Sequence, residues 1–297
     1  MAGRFAPSPT SDLHVGNLRT AVVSWLMARA AGVAHLIRIE DLDATRVRAA
    51  GAIATRQLAD LAALGIHPDG EVVVQSQRVA LYADALTRLP TYECYCTRRE
   101  IAEAASAPHD DGYRPYPGTC RDLTDADRAA RRAERPPALR VDAGGVRETV
   151  TDQWAGTVTA VDDVFVVRRN DGAFAYNLAV VVDDLDQGVT QVVRGDDLLS
   201  SSPRQGWLAR ALGGTAPLYA HVGLVTNTSG RRLAKRDGAV TMADLDALGW
   251  SPVRVLAVLG ASLGLCEADE PVTLAVLLDR FDPGVRPASW VWRDPAR

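Results

Sequence analysis

Lysine is almost missing from this sequence: 32 of its 33 basic residues are arginine, and Lys235 stands alone. An ammonium on a flexible stem is a compact point charge where a guanidinium is a planar fork. A lysine kept in such a chain therefore suggests a mobile phosphate contact. Long apolar runs are missing too. The longest, Ala21 to Ile37, is interrupted by Arg29 and is shorter than the roughly 20 residues a membrane helix needs. The N-terminus, Met-Ala-Gly-Arg-Phe-Ala-Pro, has no basic start, apolar run and cleavage site of the secretory kind. These absences exclude a helical span and place the expected location in the cytoplasm. There is no excess of positive charge either, the net charge being −4, so any contact with nucleic acid must come from local patches. Cysteine is scarce, at positions 94, 96, 120 and 266, and the first three fall within 27 positions. In a chain with no secretory signal this clustering favours a metal over disulfides.

What remains is a soluble, folded composition: 297 residues, 47% hydrophobic and 24% charged, enough for about two domains. The pattern alternates. A short strand at Gly3–Ala6 gives way to a Pro-Ser-Pro-Thr-Ser-Asp turn and an apolar helix over Leu13–Ala31. A strand follows at His35–Glu40, then a helix at Ala49–Leu64, a strand at Val72–Val74 and a helix at Val79–Leu89. Strands alternating with helices predict an α/β fold with a parallel sheet. The rhythm breaks near Tyr92. Inside an insertion of about 80 residues, Ala107–Gly118 reads as a loop and Thr124–Arg135 as an exposed arginine-rich helix. Ala138–Asp142, Val146–Val150 and Val158–Arg169 read as strands of a separate small unit. Alternation returns with strands at Leu178–Val182 and Val189–Val193 and a helix at Pro203–Leu212. From Val225 the tail reads as mainly helical.

Charged and small residues collect where these strands end, the edge at which open parallel sheets bind ligands. After strand one comes Arg4-Phe5-Ala6-Pro7-Ser8-Pro9-Thr10, then His14-Val15-Gly16-Asn17 at the helix start. Free N–H groups there favour phosphate, Gly16 lets a nucleotide approach the backbone, and His14 can donate to an oxygen. A plain turn also uses prolines and a capping hydroxyl. After strand two comes Arg38-Ile39-Glu40-Asp41, and after a late strand Arg194-Gly195-Asp196-Asp197, preceded by Tyr176 and Asp183-Asp184. Any one of these acids can simply solvate a loop. Together, Arg4, Glu40 and Arg194 make a cage for a molecule with two carboxylates and one ammonium. Arg231-Arg232-Leu233-Ala234-Lys235-Arg236-Asp237 forms a basic loop. The arginines at Arg128–Arg135 and Arg168-Arg169 read as solvated faces that can also track RNA phosphates. Cys94, Cys96 and Cys120 supply three thiolates, and tetrahedral zinc needs a fourth ligand, for which His109 and Tyr116 are both within reach of the sequence pattern.

These segments resemble, in order, the motifs of glutamyl-tRNA synthetases. Arg4–Thr10 with His14-Val-Gly16-Asn17 is similar to the glutamyl form of the HIGH motif of class I aminoacyl-tRNA synthetases, and Leu233-Ala-Lys235-Arg-Asp is similar to the KMSKS loop. Arg38–Asp43, Tyr176 with Asp183-Asp184, and Arg194–Leu199 resemble the same enzymes. The chain departs from the pattern at Asn17, where HIGH ends in histidine, and at Ala234, where the loop has serine. About 60 residues follow Lys235, too few for helical anticodon-binding domains. That brevity, with the cysteine cluster, resembles the glutamyl-queuosine tRNA(Asp) synthetases. The resemblance implies a Rossmann-type sheet split by a zinc-bearing insertion and followed by a mainly helical subdomain. Its parts are a first catalytic half at 1–91, a connective, acceptor-binding-like insertion with the zinc knuckle at 92–171, a second catalytic half at 172–224, and the KMSKS-like loop with a stem-contact-like subdomain at 225–297.

The same resemblance implies activation of L-glutamate with ATP in the absence of tRNA, then transfer to queuosine at the wobble position of tRNA(Asp). It assigns the side-chain carboxylate of glutamate to Arg4 and Tyr176, the ammonium to Glu40 and the α-carboxylate to Arg194, with Phe5, Ala6, Pro7 and Ser8 lining the pocket. His14, Gly16, Asn17 and Lys235 become the catalytic and ATP-binding set. Magnesium accompanies ATP, and one structural zinc is held by Cys94, Cys96, Tyr116 and Cys120, since the family pattern places a tyrosine four residues before the last cysteine. The expected partners are glutamate, ATP and the anticodon stem-loop of queuosine-modified tRNA(Asp), with the protein a monomer and no membrane. Two other readings share these motifs: a trimmed glutamyl-tRNA synthetase that charges the acceptor end of tRNA(Glu), and a silent paralogue that binds tRNA or glutamate.

Overall fold

Short strands rich in β-branched residues stack side by side around the first one, β1 (Ala2–Phe5), in a computed structural model that describes residues 1–43, 50–97, 99–101, 116–233 and 240–293. On one side β1 pairs in parallel with β2 (Ala34–Ile39), and β2 with β3 (Val73–Val74). On the other it pairs in parallel with β7 (Val189–Gly195), which pairs with β8 (Leu218–Val222). The order β3-β2-β1-β7-β8 reverses direction between β1 and β7, and an open sheet binds ligands at the carboxyl ends of strands at such a reversal.

The crossovers are α1 (Val15–Ala30), α2 (Ala50–Ala63), α3 (Val79–Thr87), α5 (Tyr176–Asp186) and α6 (Ser202–Ala211). Helix α1 is apolar on nearly every side because it lies between two layers. Leu18, Val22 and Leu26 share one core with Ile37 of the sheet and with Leu256, Leu259 and Leu277 of the C-terminal helices. Those helices are α7 (Met242–Ala247), α8 (Pro252–Ser262) and α9 (Leu274–Arg280), joined by a two-stranded parallel sheet of β9 (Val225–Thr226) and β10 (Trp290–Val291). Arg19 ties the layers together: its buried guanidinium donates to the carbonyl oxygens of Gly223, Ser262 and Ala288. Gly223 is required at that junction, since a Cβ would lie 2.4 Å from the backbone nitrogen of Ser289.

Between β3 and β7 the chain adds β4 (Thr91–Cys94), α4 (Asp125–Glu134), β5 (Ala138–Asp152) and β6 (Gly156–Arg168). β5 is antiparallel to both β4 and β6. The two strands expected at 138–142 and 146–150 are one strand with a register shift, carried by Gly144 and Gly145 at φ 69° and 67°. The far end of β5 meets the main sheet through one register pair, Asp152 with Tyr219 of β8. The strand expected at Leu178–Val182 is instead part of helix α5. Its Leu-Ala-Val-Val-Val run is buried on all sides, and a run apolar at every position has no period to tell helix from strand. The helical form has a consequence for the site, because it brings Asp183 and Asp184 under the ends of β1 and β2. No described helix is long and apolar enough to cross a membrane.

Candidate active site

At the β1/β7 reversal a cleft of about 620 Å³ opens. Its walls include Arg4, Phe5, Ala6, Pro7 and Ser8 from the end of β1, His14, Gly16 and Asn17 from the start of α1, Glu40 after β2, Tyr176 at the start of α5 and Arg194 in β7. The described members of the glutamate and ATP sets expected from sequence thus share one cavity. Lys235, like Ala234, lies outside the described residues. The chain enters that segment at Arg232 and Leu233, which line the same cleft, and leaves it at Val240, whose carbonyl accepts from Val15 N at 3.0 Å.

One end of the cleft rests on buried ions. Asp184 accepts from Arg4 Nε and Nη2 at 3.3 and 3.4 Å and from Arg38 Nη1 at 2.7 Å. Arg38 also donates to Glu40 Oε1 at 3.2 Å. Asp183, the neighbouring residue on α5, accepts from Gln75 Nε2, Arg78 Nε and the Tyr82 hydroxyl at 2.7–2.9 Å. Burial pushes Asp184 up, but Arg4 and Arg38 outweigh it and hold the carboxyl below its ordinary range. Glu40 goes the other way: burial raises its pKa against the pull of Arg38 and Arg4. Arg194 is fixed separately, by Gln205, Ser202, the Leu198 carbonyl and His221. Such a site presents two guanidinium groups and one carboxylate in fixed positions, which suits an amino acid with two acid groups.

The other end is a helix start. His14 Nδ1 accepts from Gly16 N at 3.1 Å, and His14 N donates to Asn17 Oδ1 at 3.2 Å. Asn17, where the sequence departs from HIGH, therefore closes the cap of α1. A side chain at Gly16 would strike this cap, its Cβ lying 2.9 Å from His14 Cε1. Burial, and then Arg232, lower the His14 pKa to about 4, so the ring is neutral near pH 7. Arg232 is paired with Asp197 across the cleft mouth.

The cysteines come together, apart from the cleft residues. The Sγ atoms of Cys94, Cys96 and Cys120 all fall within 4.8 Å of one another. A tetrahedral zinc with bonds of about 2.3 Å sets its sulfurs about 3.8 Å apart, so the three fit such an ion with little movement. The Tyr116 hydroxyl stands 3.7 Å from Cys96 Sγ and accepts from Cys120 N at 2.8 Å. Tyr116 is buried, with the Arg140 guanidinium 4.0 Å over its ring. His109 lies outside the described residues.

A family model for the catalytic domain of class I tRNA synthetases of the E and Q type matches residues 1–270. A glutamyl-Q tRNA(Asp) synthetase of Nocardia farcinica is 56% identical over 299 residues, covering 99% of this chain and 93% of the relative. The chain belongs to the glutamyl-Q tRNA(Asp) synthetase family. A second member, from Deinococcus radiodurans, is 47% identical and covers 94% of this chain and 95% of its own. The fold of this synthetase is also that of a glutamate tRNA ligase of Elizabethkingia meningosepticum solved with its amino acid, with a TM-score of 0.78 at 24% identity. The match covers 98% of this chain and 67% of the ligase.

Sequence reasoning about the synthetase missed the groups that hold Arg194. His221 sits in an apolar strand and Gln205 beside Arg204, with no motif to flag either, and Asp152 lies in the insertion, 42 positions before Arg194. Arg38 and Asp184 stand inside the motifs that carry the family resemblance, which implies no role for either. The signal for them was a basic and an acidic residue in otherwise apolar buried segments, which have to find each other.

Proposed function

We infer that this chain activates L-glutamate with ATP without help from tRNA and passes the glutamyl group to queuosine at the wobble position of tRNA(Asp). The observation that carries the reading is the convergence of Arg4, Glu40 and Arg194 beside the capped start of α1, in a chain so similar throughout to glutamyl-Q tRNA(Asp) synthetases. Arg4 and Tyr176 receive the side-chain carboxylate, Glu40 the ammonium and Arg194 the α-carboxylate, with Ser8 and the Phe5–Pro7 backbone closing the pocket. One oxygen of the α-carboxylate attacks the α-phosphorus of ATP, the bond to the β-phosphate oxygen breaks, and glutamyl adenylate and pyrophosphate result. A queuosine hydroxyl then attacks the carbonyl carbon, and AMP leaves. Reactions of this kind depend mainly on alignment and on charge stabilisation. Neutral His14 and the backbone at Gly16 contact the phosphates, while Lys235 follows the departing pyrophosphate. Magnesium enters with ATP, held largely by phosphate and water. Cys94, Cys96, Cys120 and Tyr116 would hold a zinc whose role is structural, because four protein ligands leave no position for substrate.

Glutamate-dependent ATP–pyrophosphate exchange by the purified protein, with no tRNA added, tests the first half. Transfer of labelled glutamate to queuosine-containing tRNA(Asp), with tRNA(Glu) alongside, tests the second. Exchange without tRNA and transfer to tRNA(Asp) alone are expected. Charging of tRNA(Glu) instead would replace this reading with the trimmed glutamyl-tRNA synthetase, and absence of exchange in folded, zinc-loaded protein would leave a binding paralogue.

A further inference from the structure

Arg194 is held from behind by a chain of buried groups that ends in the insertion. Its Nε donates to His221 Nε2 at 3.0 Å, and His221 Nδ1 lies 2.6 Å from Asp152 Oδ2. All three residues are 5% exposed or less. The tautomer is dictated by these neighbours. A carboxylate only accepts and a guanidinium only donates, so the proton sits on Nδ1 and the lone pair on Nε2 faces Arg194. Ser202 supports this arrangement: its Oγ accepts from Arg194 Nη2 at 2.8 Å and lies 3.4 Å from His221 Nε2. Gln205 Oε1 and the Leu198 carbonyl take further guanidinium protons, at 2.7 and 3.2 Å. Together these contacts engage Nε, Nη1 and, twice, Nη2, which leaves one proton of Nη1 over from a group with five.

Asp152 is anchored as firmly as Arg194. Its Oδ1 accepts from the backbone nitrogens of Trp154 and Ala155 at 3.0 and 2.8 Å, and the residue forms the register pair that joins β5 to β8 at Tyr219. Tyr219 stacks on His221, with ring centroids 6.0 Å apart, and the Arg194 guanidinium lies 5.1 Å from the same tyrosine ring. The end of the insertion is thus built into the support of a substrate-facing arginine.

We propose that Asp152 and His221 are positioning residues for amino-acid recognition: Asp152 fixes the His221 tautomer, and His221 Nε2 fixes the Arg194 guanidinium in the orientation that receives the α-carboxylate. The proposal rests on the assignment of Arg194 to that carboxylate. It predicts a consequence specific to hydrogen-bond direction rather than to packing. In Asp152→Asn the amide oxygen stays toward the nitrogens of Trp154 and Ala155, so the NH₂ group faces His221 Nδ1. The imidazole must then accept at Nδ1 and carry its proton on Nε2, which points an N–H at the Nε–H of Arg194. The same isosteric exchange disables a histidine elsewhere in protein chemistry by reversing its tautomer.

Two readouts test this. With histidine labelled at the ring nitrogens, nitrogen NMR reports the tautomer of His221, assigned by the signal lost in His221→Gln. ATP–pyrophosphate exchange reports KM for glutamate and for ATP separately. The wild type is expected with the proton on Nδ1 and Asp152→Asn with it on Nε2. KM for glutamate then rises about tenfold in the variant while KM for ATP stays within about twofold. His221→Gln, whose Oε1 replaces Nε2 as acceptor, stays within about threefold of the wild-type glutamate KM, whereas His221→Asn, too short to reach Arg194, shows the full rise. A wild-type proton on Nε2, or a reversed tautomer with unchanged glutamate KM, overturns the relay. Should Asp152→Asn fail to fold, equal glutamate KM values in His221→Gln and His221→Asn overturn it instead. Arg194→Lys tests the underlying assignment by itself: an unchanged glutamate KM there removes Arg194 from the carboxylate, whereas a large rise there with none in Asp152→Asn removes only the relay.

Discussion

Arg4, Arg38, Glu40 and Asp184, at the end of the cleft proposed for the amino acid, make their ion pairs with side chains at most 10% exposed. At the end proposed for the phosphates, the pair Arg232 with Asp197, which precedes the basic segment in the chain, is 54% and 28% exposed. The first end is a fixed mould whose charges are already spoken for inside the protein. The second is a helix cap and an exposed ion pair, close in sequence to the chain's lone lysine. The contrast fits the ligands: glutamate must be told from other amino acids by rigid charges, while pyrophosphate must be followed as it leaves. Alignment of a small substrate benefits from groups that do not reorganise, and release benefits from groups that do.

The largest effect expected from this contrast is on Asp184. In Asp184→Ala, Arg4 and Arg38 stay buried without the carboxylate they share. Breaking a buried pair in this way costs about 3–5 kcal/mol. Urea unfolding at neutral pH reads this loss, and KM for glutamate rises in whatever protein stays folded. Asp197→Ala, at the other end, removes an exposed pair worth about 1 kcal/mol or less. Equal losses in the two variants would break the distinction between mould and exposed pair.

Next comes Lys235→Ala. If this lysine acts on the departing pyrophosphate, kcat for ATP–pyrophosphate exchange falls about 10²–10³-fold, the range seen when one charge-stabilising donor is removed. KM for glutamate and the urea midpoint remain at wild-type values. This is the opposite signature to Asp184→Ala, and unchanged exchange would remove Lys235 from the chemistry.

The two ends also differed in how far the sequence revealed them. The helix start was legible because its determinants are local: a strand, a proline-rich turn and His14-x-Gly16 lie within a few residues, and the α1 cap is made from them. The amino-acid end was legible only as separate fragments. Arg4, Glu40 and Arg194 each ended a recognisable strand, so the edge rule brought them together. The groups underneath them come from distant segments. Asp184 lies 180 positions from Arg4, and the start of the helix that presents it reads as a strand in the sequence because burial on every face erases periodicity. Likewise the fold's parallel order followed from alternation, whereas the Asp152–Tyr219 junction depends on a strand that runs 15 residues through a two-glycine bulge. No local pattern encodes where such a strand ends.

A smaller effect separates the ends by pH. Burial raises Glu40 above the ordinary carboxylate range, while His14 stays neutral down to about 4. If Glu40 receives the substrate ammonium as proposed, only its ionised form attracts it. On acidification, kcat/KM for glutamate therefore falls first, as the pH drops through the raised Glu40 value, and KM for ATP holds until His14 protonates. The sign for stability is the reverse of that for binding. A raised folded pKa means that Glu40 contributes stability in its protonated form, and this contribution is lost as the pH rises through that value. Glu40→Gln is therefore no less stable than the wild type at neutral pH, yet binds glutamate poorly. Exchange kinetics and urea midpoints across the acid range check both statements.

The smallest effect concerns Asn17, which stands where the family motif has histidine. Its Oδ1 takes the His14 N–H at the start of α1, and loss of a helix-capping contact costs about 1 kcal/mol. Asn17→Ala should lower the unfolding free energy read from urea titration by that amount and leave exchange within about threefold, if capping is all that Asn17 does. Asn17→Asp separates capping from phosphate contact. The carboxylate still accepts from His14 N, and a negative charge in the first turn of a helix is favourable, so stability is kept or improved. The same charge lies beside the expected phosphates and repels them, so KM for ATP rises while KM for glutamate does not. A variant that is as stable as the wild type but weaker toward ATP alone would show that this residue belongs to the phosphate end in function as well as in place. Unchanged ATP affinity would put the phosphates farther from the cap than His14 and Gly16 suggest.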